Sequence, residues 1–484
     1  MVDKKNKLFL LICLLFSFVC LGVLNVKADV VTLRIYNWED YISDGKDDEG
    51  NESDEVANVL DSFCEYYKNK FGEEIVVEYV TYATNEVMLS TLETGRSQYD
   101  LICPSDYVIQ KMIKKDMLEK LDGKIENYEK YASPYIKDLF EKNGWNEYGV
   151  CYMWGTMGFL YDPATVDEED VSTWDVMWNP KYQYKVTTKD SMRDTYVPSV
   201  AHVYKEELIS LKEKHDNNEI SDEFYNAEIT NILNRCDEET IKLVGEALSA
   251  MKINIFGFEV DSGKTDIATG KISINFAWSG DAVYAMDLAE ETKELYYSVP
   301  EEGSNIWFDA WVIPKGAKNK KAAMEFMNYI CLPEIAVENM NKIGYTSAIG
   351  GDEVVDMIND YYYCEDGEYE VDLTYLFEGT VSDEYLTDGR LIIKTDTIGR
   401  QFSTQYPEYD IVNRCAIMKD FGDANEKVMA MWQEFKSEKI YYFGVVLLAL
   451  GVIAGCAYWI YNYRQKRVRN NRLKQSKKNN SKGV

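Results

Sequence analysis

Apolar and polar residues alternate over residues 31–36. Apolar side chains then recur at helical spacing at Val56, Val59, Leu60, Phe63, Tyr67 and Phe71, and Gly72 follows as a stop signal. A second strand-like run covers 75–80. Thr84 or Asn85 is placed to cap a helix ending near Gly95, and a third strand covers 99–103. The chain therefore opens β-α-β-α-β, the pattern of a parallel sheet with helical crossovers. Such sheets bind ligands beyond the carboxyl ends of their strands, where the strand order reverses. A second α/β region follows Tyr152-Met153-Trp154-Gly155. It has strand-like runs at 184–188 and 271–278 around a long charged helical stretch, 204–251, which reads as a solvated elaboration without a site. Residues 305–313 read as another strand and 315–342 as helix. The segment 350–412 is rich in Asp, Glu and Tyr and weakly patterned, and a last helix, 423–435, leads almost directly into a long apolar run.

Both ends carry targeting signals. Lys4, Lys5 and Lys7 precede the apolar residues 8–24, and Val26-Lys27-Ala28 has the small residues of a cleavage site. Residues 1–28 are thus expected to be a secretory signal peptide, with an uncleaved N-terminal anchor as the alternative. Residues 440–463 contain no charge. At about 1.5 Å per residue a helix of that length crosses a bilayer with some tilt. Tyr441, Tyr442 and Phe443 stand at one end, and Tyr458, Trp459, Tyr461 and Tyr463 at the other, like interfacial belts. Residues 464–484 hold nine Lys and Arg and no acid, so this tail is expected inside the cell and the body outside.

Charge and composition narrow the function. Hydrophobic residues make up 46% of the 484, enough for a sizeable core, and the formal net charge is −31. The acids concentrate in the body, which makes nucleic acid an unsuitable partner. Seven of the ten cysteines fall in the body without a C-x-x-C spacing, so mostly free, buried thiols are expected. His202 and His215 are the two histidines and have no ligand-like spacing, which argues against a histidine-based zinc site or catalytic triad. Gly263-Lys264-Thr265 has the upstream glycine of a phosphate loop one residue out of place, at Gly257, and Asp47-Asp48-Glu49-Gly50 lacks the acid at position 1 and the Glu at position 12 of an EF-hand loop. No cofactor is implied.

What remains is four clusters that set aromatic rings beside carboxylates: Tyr36-Asn37-Trp38-Glu39-Asp40-Tyr41, Pro104-Ser105-Asp106-Tyr107, Trp278-Ser279-Gly280-Asp281 and Trp307-Phe308-Asp309. Each stands at or beside a predicted strand end. Rings attract cations through their faces and carboxylates accept from ammonium groups, so converging clusters would cage an organic cation. The first two clusters follow the first and third strands and are expected at one crevice. Trp307 and Asp309 lie two apart in a strand and are expected on one face. Trp311 reads as core, Asp281 as a candidate helix cap, Asp106 as either turn or site, and Arg193 as the partner of a local acid.

At these clusters, together with Tyr99-Asp100-Leu101-Ile102-Cys103-Pro104-Ser105 and Asp190-Ser191-Met192-Arg193-Asp194, the chain resembles the extracytoplasmic spermidine/putrescine-binding proteins of ABC transporters over about residues 31–435. The resemblance implies an α/β, two-lobed type 2 periplasmic-binding-protein fold with the ligand between the lobes. Residues 29–153 would form the first part of lobe 1, 154–305 lobe 2, and 306–436 the return segments, followed by the transmembrane helix. By position, Trp38 and Tyr41 match aromatic ligand contacts and Asp40 an acidic one, with Glu39 in place of a small hydroxyl residue. Ser105 and Tyr107 match a polar pair lining the cleft. Asp194 matches the carboxylate at one terminal amine, Trp278 and Trp307 the rings flanking the methylene chain, and Asp309 the carboxylate at another amine. Ser191 stands where spermidine-binding members have a second acid, which leaves the choice between putrescine and spermidine open. The implied role is capture of a polyamine outside the membrane and delivery to a permease and ATPase on separate chains, without enzymatic activity. The rival readings are a binding protein of the same fold for another small ligand, such as ferric iron, and a surface glycan hydrolase. Asp309→Asn and Trp307→Ala are expected to weaken binding and leave melting of the fold largely intact.

Overall fold

The computed structural model describes residues 30–47, 50–53, 56–95, 98–396 and 400–480, and the signal-peptide expectation lies outside them. The opening β-α-β-α-β pattern is present. β1 (Val31–Trp38) pairs in parallel with β2 (Ile75–Tyr82) on one side and with β3 (Leu101–Ile102) on the other. The intervening helix Val59–Phe71 starts on the Asn58 side chain, which accepts from the amides of Leu60 and Asp61. It ends at Gly72 in the left-handed conformation that glycine adopts without strain. The helix Asn85–Glu93 is capped by Thr84. β3 is shorter than the run 99–103, because it pairs only through Leu101 and Ile102 before Pro104.

Two long strands link the halves of the molecule. β4 (Gly149–Tyr161) pairs antiparallel with β9 (Ser304–Val312) along Gly149–Thr156, and with β7 (Ile274–Trp278) and β8 (Tyr296–Ser298) along Met157–Tyr161. β7 continues in parallel into β5 (Val186–Lys189), and β5 into β6 (Gly257–Glu259). Among the described residues this makes one eleven-stranded sheet of order β2-β1-β3-β9-β4-β7-β5-β6. β10 (Thr346–Ser347) and β13 (Cys415–Ile417) are attached to β4 and β9. Every residue of β4 and β9 is buried, as strands covered on both faces must be. Two α/β halves thus share a continuous core across these strands.

The charged stretch 204–251 is not one helix. It folds as Lys205–Asp216, Asp222–Leu233 and Glu238–Lys252, broken at 217–221 and 234–237 where Ser221 and Asp237 cap the next helix. The helical stretch 315–342 likewise splits into Lys320–Ile330 and Pro333–Ile343, with Pro333 starting the second. The segment 350–412 contains the helix Asp352–Tyr362 and a hairpin of β11 (Tyr369–Asp372) and β12 (Ile392–Thr395), a separate two-stranded sheet. The last helix runs without interruption from Asn425 to Asn480 and so contains the run 440–463. Side chains 438–448, 465 and 468–480 in it lie outside the description, and among the described residues no helix is long and apolar enough to cross a membrane. The seven body cysteines are free thiols, four of them buried.

Candidate ligand-binding site

The first and third strands deliver their clusters to one place. Trp38, the last residue of β1, donates its indole Nε1–H to the Cys103 carbonyl, 2.9 Å away at the end of β3, and packs on Tyr82. The chain then turns through Glu39 and Asp40, with Asp40 in the left-handed region at φ 48°. That turn leaves both carboxylates exposed and sends Tyr41 back inward. The Tyr41 backbone is held by Asn37 Nδ2 at 3.3 Å and the Tyr152 hydroxyl at 3.1 Å, both donating to its carbonyl. The Tyr41 hydroxyl donates to Asp309 Oδ2 at 2.9 Å. Ser105, just after β3, donates to Asp309 Oδ1 at 2.6 Å and accepts from Asn85 Nδ2 at 3.0 Å. The same Asn85 amide donates to the Tyr107 hydroxyl at 3.0 Å.

Asp309 is the centre of this arrangement. It is 6% exposed, it lies in β9, and among the described residues no lysine or arginine pairs with it. Burial pushes its carboxyl up to about 7. The hydrogen bonds from Ser105 and Tyr41 pull the other way, and the charge of Asp194 adds to the rise.

Trp307, two residues earlier on the same strand, is 8% exposed. Its ring meets Tyr345 edge-on at 5.5 Å, and Tyr345 in turn meets Tyr41 edge-on at 5.4 Å. Two glycines make this possible. A Cβ on Gly155 would lie 2.7 Å from the Trp307 ring, and one on Gly280 would overlap the Tyr345 ring. Trp307 is therefore packed into the core, so removing its ring is expected to lower melting, in contrast to the expectation from sequence.

The opposite half supplies the other cluster. Trp278 ends β7, and Asp281 sits in the first turn of the helix Ser279–Ala289. Asp281 is not the cap: it is buried, and it accepts from the Tyr345 hydroxyl at 2.8 Å. Asp194 stands in the first turn of the helix Met192–Val203, whose cap Ser191 accepts from the Asp194 amide. Desolvation raises the Asp194 carboxyl, against the Ser191 hydrogen bond and the nearby ammonium of Lys189.

Several readings change. Glu39 and Asp40 are exposed at the turn after β1. Asp106 is buried in the first turn of the helix Asp106–Lys114, with one carboxylate oxygen unpartnered, and its carboxyl is pushed well up by burial. Arg193 pairs with no acid among the described residues. It donates to Asn234 Oδ1 and stacks on Phe421 at 4.3 Å. Trp311, read as core, is fully buried. Three participants were not singled out from sequence: Tyr345, Lys189 and Glu259. The last two end strands β5 and β6 at the same edge as Trp278. A separate cavity of about 470 Å³, lined by Asp287, Tyr361 and Gln401 among others, includes none of the expected residues.

Two α/β halves joined through long shared strands, with a ring-walled acidic site where they meet, define a solute-binding protein of the two-lobed periplasmic-binding-protein fold. Residues 62–351 match the family described as bacterial extracellular solute-binding protein, and the chain belongs to it. It is 26% identical over 320 residues to a spermidine/putrescine-binding periplasmic protein of Salmonella typhimurium, covering 66% of this chain and 78% of that one. A putrescine-binding periplasmic protein of Pseudomonas aeruginosa is 28% identical over 325 residues, covering 64% and 76%. The solved structure of a spermidine/putrescine ABC transporter substrate-binding protein from Streptococcus pneumoniae superposes with a TM-score of 0.54 at 24% identity, over 84% of this chain and 98% of that one.

Proposed function

We propose that the chain captures a polyamine, putrescine or spermidine, outside the membrane and hands it to an ABC permease whose ATPase is a separate chain. The observation that carries this is Asp309: a buried carboxylate held by Tyr41 and Ser105, walled by Trp307 and Tyr345, and matched by no cationic side chain among the described residues. A buried charge without a partner is costly, and a ligand ammonium removes that cost while its methylenes bury against the rings at about 0.8 kcal/mol each. Trp38, Ser105, Tyr107, Asp194 and Trp278 are the further residues we assign to the ligand, with Glu39 and Asp40 at the rim. The names of the relatives support the ligand class. Among the described residues no group of three His, Cys, Asp or Glu is placed to hold a metal ion.

Tethering is part of the proposal. The uncharged run 440–463 lies within one helix, and large apolar residues on it, such as Val452, Ile453, Trp459 and Ile460, are exposed on several sides. A membrane covers such a surface, and a tether raises the local concentration of the binding domain at its permease. Calorimetric titration of the full chain in mild detergent with putrescine, cadaverine, spermidine and spermine tests the ligand class. Binding of at least one amine well below millimolar is expected, and the absence of any such binding refutes it.

A further inference from the structure

The carboxyl ends of three neighbouring strands, β7, β5 and β6, bring Trp278, Lys189 and Glu259 together. Lys189 is 1% exposed, and its ammonium sits 4.0 Å from the centre of the Trp278 ring. An ammonium has three N–H donors. Here the three acceptors within reach are Glu259 Oε1 at 2.8 Å, Asp281 Oδ2 at 3.3 Å and the Val260 carbonyl at 3.1 Å. Burial alone would discharge this lysine, but the two carboxylates outweigh it and hold the ammonium above its ordinary range. Lys189 is therefore a permanent cation with its donors already used, and it is not free to receive an anionic ligand.

Its position bears on the ligand. Lys189 already occupies a face of a ring that the polyamine reading assigns to the methylene chain. Asp281 is committed to it and to Tyr345, and Glu259 to it and to the amide of Gly263. In the loop leading to Asp194, Asp190 is turned outward onto Lys436 at 2.5 Å. Asp106 has no bonded lysine or arginine among the described residues, and neither do Asp309 and Asp194, the two acids that the polyamine reading assigns to ammonium groups. Two such carboxylates match two ammonium groups.

We propose that Lys189 is a specificity-determining residue, a built-in cation that occupies Trp278 and restricts the site to a diamine over a triamine. A third ammonium extending past Trp278 would find that ring already taken by Lys189, and the nearby carboxylates of Glu259 and Asp281 already bonded to it. This rests on the polyamine reading above, and the experiment separates the two.

Putrescine and spermidine are titrated calorimetrically into the full chain in mild detergent, as wild type and as the charge-matched variant Lys189→Met/Glu259→Gln. In the wild type, putrescine binds at least tenfold tighter than spermidine. In the double variant that ratio falls at least tenfold, mainly through tighter spermidine binding. Spermidine binding the wild type as tightly as putrescine overturns the inference and leaves the polyamine reading standing, as does a ratio unmoved in a folded double variant. Binding of neither amine overturns the polyamine reading and this inference with it. If the double variant does not fold, Lys189→Arg decides the role of the cation: the wild-type ratio is kept if a charge over Trp278 sets it, and its loss overturns the inference.

Discussion

The Tyr41 hydroxyl and the Asp309 carboxylate, 268 positions apart in the chain, lie 2.9 Å from each other. This contact joins the turn after β1 to the strand β9 that runs between the two halves. Through Tyr345, which touches Tyr41 with its ring and Asp281 with its hydroxyl, the same chain of contacts continues to Lys189. The site is thus a continuous polar and aromatic path across the junction. Changes at its centre are expected to affect both ligand affinity and the fold.

The raised carboxyl of Asp309 makes binding pH-dependent. With its value at about 7, near half of the ligand-free molecules carry the proton at neutral pH. An ammonium requires the carboxylate, so affinity for a diamine falls up to about tenfold for each pH unit below 7 and levels off above about 8. At neutral pH, binding releases protons, which titrations in buffers of different ionisation enthalpy measure directly. Asp309→Asn abolishes this dependence and weakens binding about a hundredfold or more, the scale of losing one member of a buried charged pair. A flat affinity between about pH 5.5 and 8.5 in the wild type contradicts the assignment.

The same group sets a slope in stability without ligand. Its folded value lies above the usual carboxylate range, so the folded state holds a proton that the unfolded chain has lost between about pH 4 and 7. Stability from this group is present at the acid end and is lost as pH rises through 7, by up to about 1.4 kcal/mol per unit. The Asp309→Asn variant has no proton to lose there and is spared this decline. Wild type should therefore fall in melting temperature relative to the variant as pH rises across that window, and a saturating diamine should restore it. A relative gain of the wild type with rising pH would sink the account.

How much of this was legible in the sequence follows from what each signal depends on. Alternation and helical spacing marked β1, β2 and the helix to Gly72, because those patterns are local consequences of burying one face. The same reasoning merged the helices at 217–221 and 234–237, since their capping residues are ordinary polar residues inside a charged run. Rings beside acids marked Trp38, Tyr41, Ser105 and Asp309, which the fold brings together. Glu39 and Asp40 are exposed at a turn where Asp40 is left-handed, while the neighbouring Tyr41 is buried, a difference that adjacency in sequence does not signal. Tyr345 and Lys189 carry no local signal. Tyr345 follows the helix-ending Gly344 and acquires meaning only from Trp307, Tyr41 and Asp281, all distant in the chain.

Trp307 and Gly155 are coupled by contact. Trp307→Ala opens a void beneath Tyr345 and costs about 3–5 kcal/mol of stability in addition to affinity. Trp307→Phe keeps a ring and is the better probe, with weakened diamine binding and a smaller drop in melting. Gly155→Ala leaves the Trp307 side chain unaltered but sets a methyl 2.7 Å from its ring and hard against Ser279 Oγ. It should weaken binding at least severalfold through displacement alone. Intact affinity in a folded Gly155→Ala protein would show that the position of Trp307 does not matter to the ligand.

The start of the long C-terminal helix is a structural part of the binding domain. Val428 and Phe435 are buried, and Phe435 and Trp432 pack edge-on against Phe258 in the strand that ends at Glu259. Lys436 lies 4.1 Å over the Phe258 ring and pairs with Asp190, four residues before Asp194. Burying such side chains contributes about 1.5–3 kcal/mol each. A chain ended after residue 424 should melt several degrees below one ended after residue 437. It should also bind a diamine more weakly, because the loop that carries Asp190 and leads into the helix with Asp194 loses its support. Lys436→Ala separates the two effects: the ion pair is partly exposed and contributes at most about 1 kcal/mol, so melting hardly moves. Any loss of affinity in that variant then reports on the loop alone. Equal melting of the two truncated chains would show that the helix is only a tether, with no part in holding the site.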